Sequence, residues 1–142
     1  MDDDISLLNA IIKNTEMGTS SLDQIIDSAD NEAFKSSLQI QKKGFSQLDQ
    51  EARQALSMRG AEPEGQGMLA KIGTTVSIAS KTLSDNTTRH LADMLIQGNN
   101  MGTTDCVKAL RDNPCASSEV QNLAKRLQEF EERNTQELQQ FL

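Results

Sequence analysis

A chain of 142 residues carrying a formal charge of −7, with four Phe and no Trp or Tyr, has the size of one ordinary domain and a composition that favours helices over strands. Its basic residues gather nowhere beyond the pairs Lys42-Lys43 and Lys125-Arg126, so it offers no positive face to nucleic acid. No window approaches the run of about eighteen apolar residues that a membrane span needs, and no basic leader precedes an apolar run, so a cytoplasmic protein with no membrane partner is expected.

Asp2, Asp3 and Asp4 are placed to cap a first helix, which the spacing predicts from about Ile5 to Ala29. Leu8, Ile12, Thr15, Thr19, Leu22, Ile26 and Ala29 form one stripe at alternating steps of four and three. Ile5, Leu7, Ile11 and Ile25 add a second apolar face, more than one helix seam requires. Together with Leu91 and Val107 they predict a homodimer through helix one or helix three.

Asp27 to Asn31 reads as a short turn, followed by a second helix with Phe34, Leu38, Gln41, Phe45, Leu48, Ala52 and Ala55 on its inner face. Arg59-Gly60 supplies the stop, and Ala61 to Gly67, with Pro63 and two Gly, reads as a loop. A short, broken helix is expected over Met68 to Asn86, with Met68, Ile72, Val76, Ala79 and Leu83 at helical spacing. The 29 residues from Gly60 to Thr88 far exceed an ordinary bundle connection, so they are expected to cross the length of the bundle.

Helix three is expected from Thr87 or Thr88 to about Arg111, ahead of Asp112-Asn113-Pro114. Helix four should start near Ser118, with Gln121 in a capping-box position, and run to the C-terminus. Val120, Leu123, Leu127, Phe130, Asn134, Leu138 and Phe141 are its core candidates, and the remainder reads as a solvated face. The predicted fold is all-α: one four-helix bundle of two hairpins, 5–59 and 88–142, in up-down-down-up order, joined by a crossover over 60–87 that contains a short helix.

An internal echo organises the two hairpins. Glu16-Met17-Gly18-Thr19-Ser20 recurs 84 residues later as Asn100-Met101-Gly102-Thr103-Thr104, and apolar positions match over Leu7 to Ile26 and Leu91 to Leu110. Gly18 and Gly102 each cost about 1 kcal/mol relative to Ala inside a helix, so a packing need is expected to offset them. The simplest is a close backbone approach at a packing centre of Gly18, Thr19, Gly102 and Thr103.

Leu7 to Gly18, Arg59-Gly60-Ala61-Glu62-Pro63, Met94 to Gly98 and Phe130-Glu131-Glu132-Arg133-Asn134 are similar to segments of small bacterial ferritin-like proteins of unknown function, a resemblance that spans nearly the whole chain. Active members of the ferritin-like superfamily hold a metal pair at the bundle's midpoint, using a Glu from each of two helices and a Glu-x-x-His from each of the other two. Here Glu16 matches the helix-one ligand, its counterpart is the amide Asn100, and helices two and four contain no His. The sole histidine, His90, lies at the start of helix three.

No catalytic metal and no cofactor are therefore expected. The mid-bundle layer of Thr15, Glu16, Thr19, Gln41, Asn99, Asn100, Thr103 and Asn134 reads first as a polar set that fixes helix register. Its alternative is a degenerate metal site or a small polar-ligand pocket, with Glu16, Gln41, Asn99, Asn100 and Asn134 as candidate ligands. Cys106 matches Leu22 in the echo and reads as a small core residue, while Cys106 and Cys115 together fit neither a redox pair nor a zinc set. The expected role is structural or protein-interaction rather than enzymatic. A di-iron or di-manganese oxidase or peroxide-handling protein is the alternative, and a spore- or envelope-coat protein the third reading.

Overall fold

The computed structural model describes residues 2–64 and 87–142. Helix α1 spans Asp2–Ser28, α2 Glu32–Met58, α3 Thr88–Asp112 and α4 Ser118–Leu138, followed by a 3-10 turn at Gln139–Phe141; among the described residues there is no strand. The short helix expected between Met68 and Asn86 lies outside the described residues.

Local signals set the helix ends. Asn31 Oδ1 accepts from the Phe34 amide at 2.9 Å, and Thr87 Oγ1 accepts from the His90 amide at 3.2 Å, each satisfying a donor that the first helical turn leaves open. Gly60, with φ +72°, closes α2: its amide meets the Ser57 carbonyl at 2.9 Å, and the Ala61 amide reaches back to the Leu56 carbonyl at 3.2 Å. That paired pattern is the Schellman stop, which favours a residue able to enter the left-handed region. Ser117 rather than Ser118 caps α4, its hydroxyl accepting from the Val120 amide at 3.4 Å. Gln121 therefore sits one place beyond the capping-box position, and its side chain instead donates to the Ala116 carbonyl at 2.8 Å.

The acidic triplet does more than begin α1. Asp4 accepts from the Ser117 amide at 2.6 Å and from Arg59 Nε at 3.0 Å, while Asp3 accepts from the Cys115 amide at 2.8 Å. The first turn of α1 is thus tied at once to the end of α2 and to the turn between α3 and α4. These bonds hold the Asp4 carboxyl below its ordinary range, the Ser117 amide contributing most.

The core explains why α1 carries two apolar faces. It packs against α2 and also against α3 and α4, so both Leu8-Ile12-Thr15-Leu22 and Leu7-Ile11-Ile25 are buried. Leu7, Ile11, Ile25 and Leu91, on which a homodimer was expected, are each at most 2% exposed within the single chain, and Ile5 and Val107 are half-buried. The apolar excess that suggests a second subunit when α1 is considered alone is largely covered within the chain, which removes that ground for a dimer. Burial of each Leu or Ile contributes roughly 1.5–3 kcal/mol.

Candidate functional site

Helix α1 separates two polar clusters near the middle of the molecule, because successive residues on a helix point about 100° apart. Thr15 and Glu16 turn toward α2; Thr15 Oγ1 lies 2.8 Å from Asp49 Oδ1 and 2.9 Å from the Ile12 carbonyl of its own helix, its single proton shared between the two acceptors. Arg53 bridges the cluster, with Nε 2.7 Å from Asp49 Oδ2 and Nη2 3.2 Å from Glu16 Oε1. Burial raises the Glu16 carboxyl above its usual value, Arg53 opposes the shift, and the Asp49 charge adds to it.

Asn14 turns the other way, toward α3 and α4. Its Nδ2 donates to the Gly102 carbonyl at 3.1 Å and lies 3.5 Å from Cys106 Sγ, whose thiol in turn faces Glu131 Oε1 at 3.9 Å. Glu131 is 2% exposed, although its position amid charged neighbours reads as solvated surface. Gly102 explains how it fits: a Cβ there would stand 1.8 Å from Glu131 Oε2, so the carboxyl occupies the notch left by the missing side chain.

Burial drives the Glu131 carboxyl up to about 8; the Asn14 amide pulls against the shift and the Asp105 charge adds to it. Glu131 is thus mostly protonated at neutral pH. The Cys106 thiol is pushed up to about 12, chiefly by burial and then by the Glu131 and Asp105 carboxylates, and so remains a thiol rather than a nucleophilic thiolate. Both Cys106 and Cys115 are free.

An aromatic pair joins α2 to α4. The rings of Phe45 on α2 and Phe130 on α4 meet edge to face, with centroids 4.9 Å apart and planes at 89°. Each lies over a glycine: a Cβ on Gly18 would stand 2.7 Å from the Phe45 ring, and one on Gly44 2.2 Å from the Phe130 ring. The repeated glycines therefore admit side chains, Phe45 at Gly18 and Glu131 at Gly102, rather than a close approach of the two Gly-Thr backbones. Each receives a residue from the next helix in sequence. The hydroxyls of Thr19 and Thr103 turn back onto their own helices, to the Thr15 and Asn99 carbonyls at 3.1 and 2.9 Å.

The five candidate ligands do not converge. Glu16 is engaged by Arg53, and Gln41 is buried with its Nε2 3.4 Å from Ser37 Oγ. Asn99 and Asn134 are buried, the latter with an Nδ2 that has no partner. Asn100 is exposed and so does not oppose Glu16 inside the bundle. Among the described residues, no hydrogen bond joins any two of these five side chains, and no group of three or more His, Cys, Asp or Glu is arranged to hold a metal ion.

The sequence reading missed Glu131 and Asn14. The available signal for Glu131 was its place one residue after Phe130 on the inner stripe, combined with a glycine in the echo that had to accommodate something.

Beside the Asn14–Cys106 contact, α1, α3 and α4 leave a cleft of about 190 Å³ lined by Leu7, Ala10, Ile11, Lys13, Asn14, Met17, Asp105, Cys106, Ala109 and Ala124. No protein-family model, curated protein or solved structure matches the chain.

Proposed function

We propose that this chain is a ferritin-like bundle without a working metal centre, acting as a structural or protein-interaction module. The observation that carries the reading is the Phe45–Phe130 pair, whose rings meet between α2 and α4 at mid-helix, seated on Gly18 and Gly44. A di-metal centre needs open coordination space between facing carboxylates. Here Glu16 is turned into an ion pair with Arg53, and Glu131 is folded into the Gly102 notch.

The up-down-down-up order is supported by the Asp3 and Asp4 contacts. They gather the start of α1, the end of α2 and the turn between α3 and α4 at one end of the molecule. In the duplication reading, Gly18 and Gly102 are equivalent positions, one half seating an aromatic ring where the other seats a carboxyl. Self-association into a homodimer would use the apolar side chains that remain exposed, Ile40, Met58 and Met101.

Metal analysis of protein purified without chelator tests the reading, with content well below one iron or manganese per chain as the expected result. Near-stoichiometric metal that is lost on Glu16→Ala would replace it with the oxidase or peroxide-handling alternative. Sedimentation at high micromolar concentration tests the homodimer, which a monomer would refute.

A further inference from the structure

The cleft between α1, α3 and α4 is hollow for an identifiable reason. Each of the three helices contributes an alanine to its wall, Ala10, Ala109 and Ala124, where a longer side chain would fill the space. Leu7 and Ile11 supply an apolar floor, both almost fully buried. At about 190 Å³ the space is smaller than the roughly 300–1,000 Å³ of pockets for drug-sized ligands, so it suits a smaller molecule.

The charges are arranged with equal economy. Lys13 on α1 and Asp105 on α3 both line the cleft, both are exposed, and neither forms an ion pair among the described residues. Asp105 lines the cleft beside Cys106, close enough for its charge to raise both Cys106 and Glu131. Among the described residues the cleft presents one unpaired cation, one unpaired anion and an apolar floor, which is complementary to a molecule carrying both charges and a short alkyl group.

We propose that this cleft binds a small aliphatic zwitterion of the α-amino-acid class, with its ammonium at Asp105, its carboxylate at Lys13 and its alkyl group against Leu7 and Ile11. Such a site goes beyond the structural role and does not depend on it.

The test is a titration of the full chain, followed by amide and methyl NMR shifts, with three probes of similar shape: L-leucine, isoamylamine and 4-methylpentanoate. Leucine should give saturable shifts at Leu7, Ile11 and Cys106, with a Kd at or below about 10 mM. Each single-charge analogue should bind at least about fivefold more weakly, and so should leucine to Lys13→Ala or Asp105→Asn. Both substituted residues are exposed, so the variants retain the fold.

Ala109→Leu, checked for native circular dichroism, should abolish the shifts by filling the hollow. Three outcomes overturn the proposal: no saturable shift with leucine, equal affinity for all three probes, or a dimer seated in the cleft that Ala109→Leu dissociates.

Discussion

Replacing Glu131 by Gln keeps the shape of the side chain and removes its ability to ionise, so it isolates the cost of a carboxyl in the bundle's interior. In the folded chain this group sits at about 8, against an ordinary value of 4.5. An acid whose folded pKa is raised stabilises the fold below its unfolded value, and that stability is lost as pH rises toward the folded value. Between pH 4.5 and 8 the folded state holds the proton that the unfolded chain has released. The gap of about 3.5 units, at about 1.36 kcal/mol per unit, corresponds to about 5 kcal/mol lost across that window.

Urea unfolding at intervals from pH 4.5 to 9 measures it. The wild type minus Glu131→Gln difference should fall steadily with pH and level off above about 8, so that the variant is the more stable protein at pH 8. Glu16 shifts in the same direction, but it is present in both proteins and cancels in the difference. Parallel pH profiles for the two proteins would refute the reasoning, because Glu131 would then be titrating as a solvated carboxyl.

The glycine seats give a second prediction: Gly44→Ala and Gly102→Ala should each destabilise by about 1–3 kcal/mol through overpacking, despite the better helix propensity of Ala. Phe130→Leu should recover part of the Gly44→Ala loss, as read by urea midpoints. Asp4→Ala should cost about 1.5–3 kcal/mol and speed amide exchange at Ser117, whose N–H it accepts. Because the Asp4 carboxyl is depressed, its contribution is present above pH 3.8 and is lost as pH falls through its lower folded value. With iodoacetamide near neutral pH, Cys115 should label readily and Cys106 only on unfolding, since Cys106 is buried and held as a thiol.

The helices were legible from sequence because their signals are local. The four-three spacing in α2 marked Phe34, Leu38, Gln41, Phe45, Leu48, Ala52 and Ala55, all of them buried. Asn31, Thr87 and Gly60 punctuate the chain where capping chemistry requires. The site was less legible because its logic is tertiary. A carboxyl at Glu131 looks solvated until the notch at Gly102 is known, and Asn100 looks internal only if the echo is taken to preserve side-chain direction. The glycines themselves were visible, but a sequence does not say whether such a notch admits a backbone, a ring or a carboxyl. The second face of α1 suggested an external partner for a similar reason, since the positions of α3 and α4 against it are not encoded in α1.

The filled centre is tested most directly by crystals grown with excess manganese or iron and measured at the metal's absorption edge. The expected result is the Phe45 and Phe130 rings in edge-to-face contact between α2 and α4, Glu131 in the Gly102 notch, and no anomalous peak between the helices. A peak coordinated by Glu16 and Glu131, with the rings displaced to admit it, would contradict the account.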